Sequence, residues 1–172
     1  MSNSEFIPLS IAVLTVSDTR VLKDDRSGDL LARKIAEAGH NLVERVMCKD
    51  SIYSIRAIVS GWIDTAELDV VLITGGTGVT GRDGTPEAVS VLFDKTLEGF
   101  GETFRALSYA DIKTSTMQSR AVAGVANRTY VFSLPGSTGA CKLAWESLIS
   151  FQLDSRTKPC NLVELMSRRL QR

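Results

Sequence analysis

The stretch Val70–Val89, VVLITGGTGVTGRDGTPEAV, joins a strand, a glycine-rich turn and the start of a helix within one short segment. Its first residues extend an apolar run that predicts a buried strand from Leu68 to Thr74. The glycines that follow carry no Cβ, so their backbone N–H groups can approach a phosphate closely. An isolated GGTG is equally typical of a tight surface turn that only redirects the chain. The flanking residues are needed to distinguish such a turn from a phosphate-binding turn.

Apolar runs alternate with segments of helical period on both sides of this stretch. The other predicted strands are Ile11–Val16, 42–47, 121–125 and Thr129–Leu134, the last two paired through Asn127-Arg128. The predicted helices run from a Ser27 cap to the stop at Gly39, over 52–63, from Pro86, over 101–110, from Ser137 or Thr138, and beyond Pro159. The pattern predicts an α/β protein, a three-layer α/β/α sandwich with a mostly parallel sheet and a small β-hairpin.

Length and composition narrow the class of protein. A chain of 172 residues, 44% of them hydrophobic, has the size of a single domain, which we take as 1–172. Lys plus Arg balances Asp plus Glu at twenty each, so no nucleic-acid surface is expected. Three cysteines without CxxC spacing, together with the absence of a signal peptide or a membrane-length apolar run, predict reduced thiols and a cytoplasmic location.

Several familiar chemistries find no support in the sequence. No GK[ST] completes a Walker A loop, whereas Gly76, Gly78 and Gly81 satisfy GxGxxG and keep a dinucleotide-binding oxidoreductase as an alternative. The sole histidine, His40, follows the stop Gly39, is expected to face solvent, and cannot build a histidine metal site. We assign Trp62 and Trp145 to packing, because both lie on apolar helical segments.

Polar side chains collect after the strands. Asp18, Asp50 and Asp83 follow three successive strands, whose carboxyl ends should meet at one edge of the sheet. An aspartate beside phosphates requires a cation, so Asp83 is interpreted as a Mg²⁺ ligand or an orienter of a polar substrate. Arg82 can pair with a phosphate or anchor the loop, and Asp50 can equally cap a helix. A second turn, SLPGST at Ser133–Thr138, presents backbone N–H groups in a similar way.

The residues TGGTGVTGRDGTPEA with the downstream LPGS closely resemble the MoaB/MogA family of molybdenum cofactor biosynthesis, whose fold recurs in gephyrin G domains. Ser17-Asp18, the DRSG at Asp25–Gly28, the Asp50 turn and Ser119-Arg120 agree in order, so the resemblance covers nearly the whole chain. The stretch SRAVAGVANRTYVFSLPGST and the KPCNLVEL tail are more similar to the MoaB branch than to the longer MogA branch.

The resemblance implies an enzyme, a molybdopterin adenylyltransferase that uses Mg²⁺ and ATP, releases pyrophosphate and prepares molybdopterin for metal insertion. Asp83 and Asp50 would be catalytic and would hold Mg²⁺. The residues expected at the nucleotide are Gly75, Gly76, Thr77, Gly78, Ser17 and Asp18. Those expected at molybdopterin are Ser108, Ser119, Arg120, Pro135, Gly136 and Ser137.

The resemblance also implies partners and one open question. Family members form trimers, sometimes paired into hexamers, and hand their product to a metal-insertion protein of the same pathway. Gly84 stands where a larger β-branched residue is common in active members. This departure concerns the rate more than the reaction. A non-catalytic molybdopterin-binding protein with the same pocket is the first alternative, ahead of a scaffold role and of the oxidoreductase.

Overall fold

The computed structural model describes residues 5–65 and 67–169, which form a single sheet with helices on both faces. Its strands are β1 (Ser10–Val16), β2 (Asn41–Cys48), β3 (Val70–Thr74), β4 (Lys95–Thr96), β5 (Val122–Ala126) and β6 (Thr129–Leu134). They are ordered β2-β1-β3-β6-β5-β4, with β2, β1, β3 and β6 mutually parallel. Strand β5 pairs antiparallel with both β6 and β4. The predicted mostly parallel sheet is confirmed.

The helices cover both faces of this sheet. They are α1 (Arg26–Glu37), α2 (Ile52–Asp64), α3 (Thr85–Ser90), α4 (Glu98–Ile112), α5 (Thr138–Ala144), α6 (Ser150–Gln152) and α7 (Leu162–Arg169). A π-helical turn, Trp145–Ile149, joins α5 to α6, and a 3₁₀ segment, Lys113–Gln118, follows α4. None of the helices in the described part of the chain has both the length and the apolar character needed to cross a membrane.

Alternation along the central strands creates two cores. Ile11 and Val13 of β1 pack in a cluster with α1, α4 and α5, whereas Ala12 and Leu14 pack in a second cluster with α2 and α3. Successive side chains of a strand point to opposite faces, so a strand that is apolar throughout can serve both cores. This arrangement is the predicted three-layer α/β/α sandwich.

The strand pairing beyond β6 was only partly foreseen. The hairpin of β5 and β6 forms as expected, and Asn127 and Arg128 adopt φ values of 43° and 73° at its turn. The short strand β4 was missed, because two exposed residues, Lys95 and Thr96, provide no alternating pattern. Helix α4 also extends beyond the predicted 101–110 at both ends.

The expected cap of α1 was wrong. Asp25, not Ser27, caps this helix, because its carboxylate accepts the N–H of Gly28 at 2.9 Å. Ser27 lies buried in the first turn, where its hydroxyl donates to the carbonyl oxygen of Gly136 at 3.1 Å. The Ser27 hydroxyl, which the neighbouring sequence predicts to cap the helix, is therefore used in a hydrogen bond to a residue distant in the sequence.

The expectation for His40 was also wrong. This side chain is only 6% exposed, its Nδ1 accepts the N–H of Leu9 at 3.2 Å, and its ring lies 5.1 Å from that of Phe6. The segment before β1 folds back over the end of α1 and covers the histidine. The packing roles of Trp62 and Trp145 are confirmed, since both are buried. The terminal arginines, which the sequence predicts to complement the dipole of the last helix, have side chains outside the described residues.

Candidate functional site

The carboxyl ends of β1, β2, β3 and β6 surround a cavity of about 880 Å³. Every expected site residue except Arg120 lines it. The residues that follow the strands are Ser17 and Asp18 after β1, Asp50 after β2, Gly75–Gly78 after β3, and Pro135–Ser137 after β6. A parallel sheet brings such loops together at one edge, which is why residues remote in sequence share this cavity.

The two turns that the sequence singled out lie back to back. Gly75 has a φ of +106°, and a Cβ added to it would lie 2.1 Å from the carbonyl oxygen of Val16. A Cβ added to Gly136 would lie 3.3 Å from the Cα of Gly75. The hydroxyl of Thr74 donates to the carbonyl oxygen of Pro135 at 3.0 Å. The ends of β1, β3 and β6 therefore approach so closely that the two turns form one continuous backbone surface.

Asp50 does not cap the helix that follows it. Ser51 caps α2 by accepting the N–H of Ser54, which leaves the Asp50 carboxylate to accept the N–H of Gly84 at 3.2 Å. Burial raises the pKa of Asp50, and the carboxylates of Asp83 and Asp18 raise it further. The structure thus excludes the helix-capping role for Asp50. Its carboxylate remains at the cavity, where the negative charges of Asp83 and Asp18 repel it.

Asp83 is fixed by its own turn. Its Oδ2 accepts the N–H of Thr80 at 2.8 Å as well as the Thr80 hydroxyl. Hydrogen bonds from Thr80 lower the pKa of Asp83 and outweigh the effect of burial, and the nearby Arg120 guanidinium lowers it further. Asp83 is therefore held ionised, whereas Asp50 is disfavoured in its charged form. The two expected catalytic carboxylates differ in the way that their environments shift their pKa values.

Arg120 braces the glycine-rich turn from outside the cavity. Its Nε donates to the carbonyl oxygen of Gly78 at 2.7 Å, and its terminal nitrogens donate to the carbonyl oxygen of Asp83 and to the Glu87 carboxylate. The guanidinium thus links the two ends of the segment 78–83. Its expected contact with molybdopterin stays a prediction, and in the described structure its donors are used within the protein.

Ser119 and Ser108 enter the cavity from the α4 side. Ser119 lies at the end of the 3₁₀ segment and lines the cavity. Ser108 is buried and donates its hydroxyl to the carbonyl oxygen of Phe104 at 2.8 Å, so its oxygen keeps lone pairs for a further donor. Both positions are compatible with their expected roles at a polar ligand.

Sequence reasoning missed a wall of the cavity. The missed lining residues include Arg20, Phe104, Asp111, Ile112, Gln118 and Leu143. Phe104, Ser108 and Ile112 recur every four residues along α4, a spacing that places them on one helix face. That periodicity was visible in the sequence, but nothing local distinguishes a helix face that borders a cavity from one that packs in a core.

The oxygen donors of the cavity fit Mg²⁺. A cluster of three or more His, Cys, Asp or Glu side chains arranged to hold a metal is not found in residues 5–65 and 67–169. Mg²⁺ commonly binds through one or two carboxylates, several waters and the phosphates of a substrate, so a complete protein cage is not required. Burial raises the pKa of Asp50 most, and the charges of Asp83 and Asp18 raise it further, so a divalent cation would relieve the cost of ionising this carboxyl.

Comparison with known proteins agrees with the family that the sequence resembles. Residues 12–155 match the MoCF_biosynth family, described as "Probable molybdopterin binding domain". The chain is 57% identical over 159 residues to molybdenum cofactor biosynthesis protein B of Escherichia coli strain K12, an alignment that covers 92% of this chain and 94% of that protein.

Solved structures extend the similarity to three dimensions. A crystal structure of molybdenum cofactor biosynthesis protein B has a TM-score of 0.86 and 40% identity, over 96% of this chain and 98% of that chain. The tungsten cofactor synthesizing protein MoaB from Pyrococcus furiosus has a TM-score of 0.73 and 36% identity, over 81% of this chain and 89% of that chain. The residues 12–155 that match the family include both backbone turns of the cavity.

Proposed function

This chain belongs to the MoCF_biosynth family of molybdenum cofactor biosynthesis proteins, and from that premise we propose that it adenylylates molybdopterin. In the proposed reaction, a terminal phosphate oxygen of molybdopterin attacks the α-phosphorus of ATP. The bond from that phosphorus to the β-phosphate oxygen breaks, and pyrophosphate leaves. The product, adenylylated molybdopterin, then passes to a metal-insertion protein.

One observation carries the proposal: the two backbone turns share one cavity with Asp50 and Asp83. The turn Gly75–Gly78, with Ser17 and Asp18, is assigned to the nucleotide phosphates. Backbone N–H groups in such turns make anion-binding concavities without side-chain obstruction. The turn Pro135–Ser137, with Ser108 and Ser119, is assigned to molybdopterin. Because the turns lie back to back, the attacking and leaving groups can be held in line across the junction.

Asp50 and Asp83 are the residues that would hold Mg²⁺. The cation, when bound, neutralises charge on the phosphates and favours departure of pyrophosphate. Asp83 is kept ionised by Thr80, so it presents a charged oxygen at neutral pH. No covalent nucleophile is needed, because transfer between two phosphates depends chiefly on positioning and on charge stabilisation.

Gly84 bears on the distinction between turnover and binding alone. Its N–H donates to Asp50, and a Cβ added to it would lie 2.8 Å from Cγ1 of Ile52. In this chain Ile52 therefore fills the space that a larger residue at 84 would need. The placement of Asp83 next to it is secured instead by Thr80 and Arg120, which supports an active site rather than an inert pocket.

The test is release of pyrophosphate by purified protein with molybdopterin, ATP and Mg²⁺. We expect Asp83→Asn to lower the rate by about 10²- to 10³-fold, because a charged oxygen is lost where phosphate charge develops. The matched control is Asp64→Asn, an exposed aspartate at the end of α2, which should leave the rate unchanged.

The other functions predict different results. Molybdopterin binding without pyrophosphate release would favour the non-catalytic protein, and saturable NAD binding without ATP binding would favour the oxidoreductase. We also propose that the protein assembles as a homotrimer, alone or paired into a hexamer. The molar mass measured by light scattering as the protein elutes from a size-exclusion column tests this assembly.

A further inference from the structure

Arg82 ties together the loops that follow β1 and β2. Its terminal nitrogen donates to Oδ1 of Asp18 and to the carbonyl oxygen of Asp50, both at 2.9 Å. The N–H of Asp50 donates to the same Asp18 oxygen at 3.1 Å. Arg82 itself belongs to the glycine-rich segment after β3. A single guanidinium therefore spans the cavity rim across the three loops that supply the carboxylates.

This guanidinium is held loosely, in contrast to that of Arg120. The Arg82 side chain is 66% exposed, and its ion pair with Asp18 is open to water and salt. Such pairs contribute little to stability, so breaking one costs little. Arg120 bonds to two backbone carbonyls and a carboxylate and is half as exposed, at 33%. Of these two arginines, Arg82 is free to change partners.

Charge gives Arg82 its present position. Asp18, Asp50 and Asp83 line one cavity, and the charges of Asp83 and Asp18 add to the effect of burial on Asp50 in opposing its ionisation. The Arg82 guanidinium contacts the Asp18 carboxylate directly and lies against the Asp50 backbone, where it offsets part of this negative charge. A divalent cation held by Asp50 and Asp83 would take over that task, and it would meet Arg82 as a competing positive charge.

We propose that, before any ligand binds, Arg82 serves as the counter-ion of the acidic rim, which consists of Asp18, Asp50 and Asp83. A divalent cation displaces its guanidinium, which then pairs with the phosphates of the incoming nucleotide. The second step rests on the proposed function, whereas the first depends only on the cation. Arg82 acts as a positioning residue: it offsets the negative charge of the carboxylates in the absence of substrate and adds a charge-assisted bond to the phosphates once the nucleotide is present.

The proposal predicts opposite effects of one substitution on two ligands. Arg82→Gln removes the competing charge, so a divalent cation alone should bind more tightly. The same substitution removes the phosphate partner, so Mg-ATP should bind more weakly. Loss of a merely structural contact would weaken both, since it would loosen the rim that holds both ligands.

The first measurement is the binding of Mn²⁺ to the nucleotide-free protein at low ionic strength. The electron paramagnetic resonance signal of free Mn²⁺ reports how much of the ion is bound. We expect the dissociation constant to fall by about three- to tenfold in Arg82→Gln, the size of one unit charge acting across a hydrated rim. Arg82→Lys keeps the charge and should bind Mn²⁺ like the wild type. The matched control is Arg20→Gln, because Arg20 lines the same cavity but contacts the carbonyl oxygen of Gly136, not a carboxylate. Its Mn²⁺ affinity should stay within about twofold of wild type.

The second measurement is calorimetric titration with Mg-ATP, for which we expect about tenfold weaker binding in Arg82→Gln. Thermal unfolding of each variant checks that the fold is retained. Unchanged or weaker Mn²⁺ binding in Arg82→Gln, or no Mn²⁺ binding by either protein, overturns the counter-ion role. Unchanged Mg-ATP affinity overturns the phosphate step. If the wild type releases no pyrophosphate, the proposed function fails, and the Mn²⁺ titration still decides the role of Arg82.

Discussion

Replacing Gly75 by alanine should destabilise the protein, because the added Cβ would enter the tight contact between the end of β1 and the turn after β3. Its φ of +106° is strained for any residue with a Cβ, at a cost of about 1–3 kcal/mol. The added Cβ would also lie 2.1 Å from the carbonyl oxygen of Val16, which belongs to a buried strand. Forcing a strand end to move costs about 1–3 kcal/mol more. We expect a loss of about 4 kcal/mol in the free energy of unfolding.

Urea unfolding followed by tryptophan fluorescence measures this loss directly, because Trp62 and Trp145 are buried and become exposed on unfolding. For a chain of this length, the expected loss lowers the melting temperature by roughly 8–16 °C. The matched control is Gly61→Ala in helix α2, where a Cβ meets nothing within 4 Å. This variant should gain up to about 1 kcal/mol, since alanine favours a helix over glycine.

The two variants make the same chemical change with opposite expected signs. A loss below about 1 kcal/mol for Gly75→Ala would show that the junction of β1 and β3 yields easily. The continuous backbone surface between the two turns would then not be rigid enough to hold two substrates in line.

Two further predictions concern the pH dependence of stability. Burial opposes ionisation of Asp25, but hydrogen bonds from Thr15, Gly28 and Arg45 prevail and hold its pKa below 3.8, so the stabilisation is present above that pH and is lost as the pH falls through the folded value. Asp25→Asn should lose about 3 kcal/mol at pH 7 in urea unfolding, and this loss should shrink progressively as the pH is lowered below 3.8; a loss that does not shrink would exclude the ionised carboxylate as its source. Burial lowers the pKa of His40, so its neutral form stabilises the fold fully above pH 6.5 and less as the pH drops. His40→Asn should therefore reduce the fall in the free energy of unfolding between about pH 7.5 and about pH 5.5. If this free energy falls as steeply with pH as in the wild type, His40 is not the source of the fall.

Local signals in the sequence were sufficient for most elements of the fold. The run before Gly75 is apolar on both faces of the strand, as a central parallel strand requires, and β3 forms there. Helix α5 starts where expected, and of the two candidates, Ser137 and Thr138, it is Ser137 that caps it, because its hydroxyl needs only the N–H of Ala140 three residues ahead. The expected membership of the MoaB/MogA family, carried by the two turns, is confirmed.

Local signals failed where a side chain has a better partner far away in the sequence. Ser27 would have capped α1 by proximity, but it bonds to Gly136, and Asp25 takes the cap. His40 was expected in solvent, but the segment before β1 covers it. In both cases, the competing contact involves residues whose meeting depends on the finished fold, so no window of the sequence contains it.

The same division applies to the candidate site. The sequence by itself determined five of the six strands, all but β4, together with the two glycine turns and the carboxylates at the strand ends, because each depends on backbone freedom, apolar periodicity or position after a strand. Only the tertiary structure decided that Arg82 reaches Asp18, that Arg120 braces the turn from outside, and that one face of α4 closes the cavity. These contacts join segments tens of residues apart, and their geometry is fixed by packing of the sheet and helices rather than by any local preference.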